Sequence, residues 1–260
     1  MQDKETGATP SGSATDRIKK NVKEWFIVII SFLVVSCFLF QPFKIPSGSM
    51  IPTFLVGDFL IVNKFCYGYS NNSFRIGTFN FPLPKIETRV LGKNTPKSGE
   101  VVVFRNKRDN DQNYIKRIIG VPGDTIQVIN GIVNINNKAV ILKPDGNYSS
   151  LEDGNYVLYK KYIEVLPNGC EHVIIKKDEF GSGHLDNVGP ITVPEGHYFM
   201  MGDNRDNSQD SRVMERVGCI PLNDIMGRAE AIFFSSDCSL WEVFKWPFSI
   251  RYERLFTLVK

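Results

Sequence analysis

The chain has 260 residues, with 31 Lys and Arg against 28 Asp and Glu and a formal net charge of +3. That length holds a sizeable core, as one large domain or one domain with an insertion, and the mild, unclustered basicity gives no case for nucleic acid as a partner. Five cysteines (Cys37, Cys66, Cys170, Cys219, Cys238) form no CxxC pair and three histidines form no HExxH. A zinc site is therefore not expected, while one disulfide among the four cysteines outside the hydrophobic run stays open.

Residues 1–24 are polar, with little to bury, and read as a disordered cytoplasmic start. Trp25 to Phe40 then carries no charge, and its 16 residues span about 24 Å against a hydrocarbon core of roughly 30 Å. Trp25 and Phe43 can act as interfacial anchors that extend it. Arg17, Lys19, Lys20 and Lys23 precede the run and only Lys44 follows it closely. This bias puts the N-terminus in the cytoplasm and everything after Gln41 outside. A cleaved signal peptide and a buried core helix are the alternatives; no small-x-small pair follows the run directly, which favours an uncleaved transmembrane helix over 25–41.

Past the anchor the pattern is strands and turns. Residues 58–62, 100–104 and 114–121 are rich in β-formers, and 125–129 and 132–135 flank Asn130-Gly131, a strong hairpin signal. Further strands are expected at 138–142, 157–166, 172–175, 197–201 and 229–234, and one short helical turn within 209–217. The expected fold is mostly β: a catalytic β core over 42–129 and 197–260, with 130–196 as an inserted β subdomain. The aromatic and basic segment 241–248 suits a membrane surface and ordinary core packing equally well.

Pro46-Ser47-Gly48-Ser49-Met50-Ile51-Pro52 is a hydroxyl-rich turn placed where a span would surface. A serine hydroxyl needs a neighbour to take its proton. The histidines (His172, His184, His197) sit in no catalytic motif, and a lysine can substitute only when it is neutral. Lowering its pKa by two to three units takes roughly 3–4 kcal/mol of desolvation. Lys116, in Tyr-Ile-Lys-Arg-Ile-Ile-Gly, is the candidate. Alternation puts Tyr114, Lys116 and Ile118 on one face and Arg117 on the other. Spacing alone nevertheless favours an edge-strand lysine facing solvent. Gly202–Arg212 is dense in Asp, Asn, Ser and Arg; it fails as a calcium loop because Ser211 and Val217 stand where Gly and Glu are needed. No GxSxG, SxxK or P-loop is present, and no cofactor is expected.

Taken together, Pro-Ser-Gly-Ser-Met-Ile-Pro-Thr-Phe, Tyr-Ile-Lys-Arg-Ile-Ile-Gly-Val-Pro-Gly-Asp and Gly-Asp-Asn-Arg-Asp-Asn-Ser-Gln-Asp-Ser-Arg, in this order behind an apolar run, closely resemble bacterial type I signal peptidase, the leader peptidases. The resemblance covers residues 25 to about 234. It implies a membrane-bound serine endopeptidase that removes signal peptides from exported pre-proteins at the outer face of the cytoplasmic membrane. The lipid bilayer and, transiently, the secretion machinery would be its other partners. Ser49 matches the nucleophile and Lys116 the general base, against the solvent-facing reading. Ser47 matches the hydroxyl that forms the oxyanion hole with the Ser49 N–H, and Ser208 the serine that orients the lysine. Arg117, Asp203, Asp210 and Arg212 match supporting residues. Phe43, Ile45, Met50, Phe54, Tyr114 and Ile115 match the lining of the pockets for small residues before the cut. An extended substrate is expected to pair with an exposed edge near 114–116. Ile51 stands where many members have a second Met, and only one span is evident where some have two. A non-enzymatic anchored β module that binds a partner is the rival reading. A related self-processing Ser/Lys peptidase is another, but it would need an Ala-Gly or Cys-Gly pair, which the chain lacks.

Overall fold

The computed structural model describes residues 14–70, 73, 75–76, 79–80, 89–92, 94–152, 155–238 and 249–259. The segment 241–248, read above as aromatic and basic, lies outside them. Helix α1 (Ala14–Phe38) runs 25 residues without Gly or Pro and ends just before Pro42. Trp25, Phe26, Ile27, Val28, Ile29 and Phe32 all remain exposed among the described residues, so this part of the helix is apolar all round. Its uncharged part, Trp25–Phe38, is about 21 Å long at 1.5 Å per residue. Among the described residues no helix is long and apolar enough to cross a membrane.

The rest is β-rich. The main antiparallel sheet is built from β1 (Phe40–Lys44), β2 (Asp58–Asn63), β5 (Val101–Asn106), β6 (Gln112–Gly120), β14 (His197–Met201), β15 (Ile220–Pro221), β16 (Ile225–Ser235) and β17 (Thr257–Leu258). Its order is β1-β2-β16-β5-β6-β14-β15, with β17 also on β16. A two-stranded ribbon joins β3 (Arg75–Ile76) to β4 (Phe79–Asn80). Pro42 is tolerated in β1 because that strand is an edge and needs no N–H on its open side.

Two smaller sheets fall between β6 and β14. One has the order β13-β7-β8-β9, from β7 (Thr125–Ile129), β8 (Ile132–Ile135), β9 (Lys138–Ala139) and β13 (Val188–Thr192); the other is β10-β11-β12, from β10 (Ile141–Glu152), β11 (Asn155–Val165) and β12 (Glu171–Lys176). The β7–β8 hairpin turns at Asn130 and Gly131 with φ of 47° and 78°, the two positive values that a type I′ turn requires. The boundary expected at residue 130 thus falls inside a hairpin, and the separate sheet begins at Thr125. In β10, Pro144-Asp145-Gly146 is absorbed as a bulge, with the register against β11 shifting between Pro144 and Asn147. Residues 211–217 form turns and no helix. Cys66, Cys170, Cys219 and Cys238 are all free thiols, so the disulfide left open by the sequence is not formed among them.

Candidate active site

The nucleophile turn is fixed from below. A single turn of 3-10 helix at Gly48–Met50 lifts Ser49 to the surface of the core, while the next residue, Met50, and then Phe54 are fully buried. Both pack with Ile45, Leu60, Val62, Val101, Val103 and Ile115. The Phe54 N–H donates to Met50 O at 2.9 Å and the Ile51 N–H to Gly48 O at 3.2 Å, closing the turn. Apolar burial of the residues after Ser49 therefore holds the serine without using its hydroxyl.

Lys116 stands opposite. Spacing alone favours a solvent-facing edge lysine; the strand is open on one side at this point, but β6 is buried from Ile115 to Gly120 and the lysine does not face solvent. Lys116 is only 4% exposed and Ser49 8%. The Lys116 Nζ donates to Ser49 Oγ at 2.7 Å and to Ile115 O at 3.0 Å, and sits 5.4 Å from the centre of the Tyr114 ring. Burial pushes this amine down from 10.5 to about 8, against the attraction of Asp210 and Asp203. A buried lysine without a contacting carboxylate, bonded to a serine hydroxyl, is poised to accept that proton.

The β14 partner covers only Arg117 to Gly120 of β6. Along Gln112–Lys116 that side of the strand is unpaired by any described strand, an edge that an extended peptide can join. The edge borders a cleft of about 330 Å³ walled by Pro46, Ser47, Gly48, Ser49, Gln112, Asn113, Tyr114, Ile115, Lys116, Asn207 and Gln209. Ser47 is exposed at its rim, in extended backbone just before the turn.

Behind the pair lies a shell of buried ions. Arg117 Nε and Nη2 donate to Asp203 at 2.9 and 2.8 Å, Arg117 Nη1 to Gly99 O at 2.7 Å, and Thr53 Oγ1 to Asp203 at 2.5 Å. Arg212 grips Asp210 through Nε and Nη2 at 2.9 and 2.8 Å, and the Gly202 N–H donates to Asp210 at 3.0 Å. Burial opposes ionisation of both carboxylates; the guanidinium on each outweighs it and holds them below their usual range.

Of the expected site residues, Ser47, Ser49, Lys116, Tyr114 and Ile115 meet at the cleft. Ile45, Met50 and Phe54 sit in the core beneath it, and Phe43 lines a separate cavity of about 230 Å³ with Phe32, Gln41 and Asn113. The Ser208 hydroxyl is sealed from solvent beside the Asp210 carboxylate and makes no hydrogen bond to Lys116. Sequence reasoning passed over Gly202 and Asn204. A Cβ on Gly202 would lie 2.2 Å from Ser208 Oγ and 2.5 Å from Ser49 O. Asn204 donates its N–H to Ser49 O at 3.1 Å and Nδ2 to Gly48 O at 3.2 Å. Both stand in the Gly202–Arg212 run, whose density in small and amide side chains was the available signal.

Comparison with known proteins gives the family. The profile of the family described as "Signal peptidase, peptidase S26" matches residues 18–234. The chain belongs to this signal peptidase family. A signal peptidase I of Rickettsia typhi is 39% identical over 229 residues, covering 86% of this chain and 83% of that protein. One of Rickettsia akari is 37% identical over 245 residues, covering 88% and 87%. A crystal structure of a signal peptidase I from Enterococcus faecalis matches at 25% identity and a TM-score of 0.31, over 52% of this chain and 97% of that one. As a member of the family the chain is a serine endopeptidase, a hydrolase that removes signal peptides.

Proposed function

We propose that this signal peptidase works through a Ser49–Lys116 dyad at the outer face of the cytoplasmic membrane. The observation that carries the reading is the 2.7 Å contact between the Lys116 amine and the Ser49 hydroxyl, buried where the amine is readily neutral. A pre-protein lies extended along the open edge of β6. Ser49 Oγ attacks the scissile carbonyl carbon as Lys116 takes its proton. The Ser47 hydroxyl and Ser49 N–H hold the resulting oxyanion, each donor worth about 3–4 kcal/mol in such sites. The tetrahedral carbon then expels the amine of the mature chain, protonated by Lys116, and leaves the signal peptide as an ester on Ser49. Water deprotonated by Lys116 hydrolyses that ester. The Ile115 carbonyl, which accepts from the Lys116 amine at 3.0 Å, steadies the lysine during these transfers, and the Arg117–Asp203 and Arg212–Asp210 pairs hold the groups behind it in register.

Helix α1 attaches the enzyme to the lipid bilayer, with the N-terminus in the cytoplasm and the peptidase outside. Its exposed apolar side chains and the preceding Arg17, Lys19, Lys20 and Lys23 support that arrangement. Contact with the secretion machinery is transient, as substrates arrive. The test is incubation of a purified pre-protein, in detergent, with wild type, Ser49→Ala and Lys116→Ala. Only the wild type is expected to release mature protein; normal cleavage by either folded variant rules out the dyad.

A further inference from the structure

Glu164 lies on β11, in the three-stranded sheet, fully buried and outside the catalytic cleft. Arg205 donates Nη1 and Nη2 to its two oxygens at 2.7 and 2.5 Å, and His172 Nε2 on β12 lies 3.1 Å from Oε2. Burial opposes ionisation of this carboxyl, but the Arg205 charge and the His172 contact overcome it and hold the group far below the usual carboxylate range.

Arg205 is clamped along its backbone as well. Its N–H donates to Ile175 O of β12 at 3.0 Å, and its carbonyl accepts Arg212 Nη2 at 2.7 Å. The Ile175 N–H donates to Asp203 O at 3.0 Å, so 203–205 runs beside β12 as a short parallel bridge. The residue between these two anchor points is Asn204, which grips the carbonyls of Gly48 and Ser49. A single peptide unit thus separates the Glu164–Arg205 pair from the contacts that set the nucleophile turn.

We infer that Glu164 is a positioning residue for the peptidase reaction. Through Arg205 it holds Asn204 against the nucleophile turn and so fixes where Ser49 Oγ meets Lys116. The inference rests on the dyad reading above. A mere staple between the sheets does not need an ionised group, since well-packed apolar residues in place of a buried ion pair are often as stable or more so. A bidentate guanidinium–carboxylate pair adds direction, which sets the angle and register of the 203–205 segment. Nucleophilic attack is sensitive to that placement, because an error of about 1 Å can lower a rate about a hundredfold.

The test uses the full chain in detergent with a pre-protein substrate. Glu164→Gln and Glu164→Ala are compared with wild type and Ser49→Ala, with kcat and KM read separately and the folded fraction read from near-ultraviolet circular dichroism. In folded variants kcat is expected to fall about tenfold or more while KM stays within about twofold. The acid limb of the pH profile should keep its midpoint, because Glu164 does not touch Lys116. Wild-type kcat in the folded variants overturns the inference. So does a rise in KM at unchanged kcat, or failure of both variants to fold, which would make Glu164 a staple of the fold. Cleavage by Ser49→Ala would instead sink the dyad reading, whereas an inert Ser49→Ala beside a fully active Glu164→Gln removes only the positioning role.

Discussion

At its ordinary 10.5 a lysine amine is neutral in about one molecule in three thousand at pH 7, but near 8 it is neutral in about one in eleven. Burial of Lys116 therefore raises the population of competent base roughly 300-fold. The rate should follow the same ionisation. With a pre-protein substrate, kcat/KM is expected to rise with pH through a single deprotonation centred near 8. A midpoint near 6.5, the ordinary range of histidine, would point to a different base. The same shift acts on stability. The unfolded chain binds the Lys116 proton more tightly than the native one, so stability rises with pH between about 8 and 10.5, and the penalty is complete below 8. Lys116→Met, which keeps the volume and drops the amine, should thus be inactive yet more stable at pH 7. After subtracting the lost hydrogen bond to Ser49, a gain of about 2 kcal/mol is expected. Urea unfolding at pH 7 and pH 11 checks it: the gain should shrink at the higher pH, and a variant less stable than wild type at pH 7 contradicts the assignment of desolvation as the cause.

At the scale of elements, the site is two loops pressed against one strand, and their contact leaves no room at Gly202. An added methyl would meet the Ser49 carbonyl and the Ser208 hydroxyl together, and the carbonyl is backbone that cannot swing aside. Gly202→Ala should push the nucleophile turn off Lys116 and lower kcat/KM about a hundredfold while the sheets stay folded. Near-wild-type processing by this variant would mean that the turn has slack. The elements around the loops were legible to different degrees. The hairpin at Asn130-Gly131 and strands β2, β5, β6 and β14 follow from runs of β-forming residues and turn chemistry, which are local. β1 was missed because its Phe40 and Gln41 continue the hydrophobic run and were given to the helix, and only pairing with β2 makes Phe40–Lys44 a strand. β10 was cut short because Pro144-Asp145-Gly146 has turn chemistry that the pairing with β11 absorbs as a bulge. The solvent-facing reading of Lys116 failed for the same kind of reason. One strand's alternation says which face a residue shares, and only the neighbouring strands decide whether that face is wet.

Across the whole molecule, buried ion pairs bind the sheets to one another. Arg117–Asp203 ties β6 to the catalytic loop, Arg212–Asp210 lies within that loop, Arg205–Glu164 joins it to β11, and Lys176 of β12 reaches Asp186 at 2.9 Å and Asp206 at 2.6 Å. The motif residues among these were readable as a family pattern. Glu164, His172, Lys176 and Asp186 were not, because nothing in their local sequence sets them apart from surface charge and their partners are remote in the chain. Glu164, Asp186, Asp203 and Asp210 share one electrostatic consequence. Burial opposes ionisation of each, cationic partners and N–H donors outweigh it, and all four titrate below their ordinary range. The unfolded chain therefore binds up to four more protons than the native one between those lowered values and about pH 4. Stability from these groups is fully present above their unfolded range and is lost as pH falls through the native one, with a slope of at most about 5 kcal/mol per pH unit. Urea midpoints should be nearly level from pH 7 to 5 and fall steeply below about 4. Because Arg117–Asp203 ties the main sheet, and Arg205–Glu164 the three-stranded sheet, to the same loop, that loss should reach both sheets in one transition. Asp203→Asn should flatten the slope by removing one of the four protons, and a midpoint that stays level to pH 3 would show that these carboxylates do not hold the molecule together.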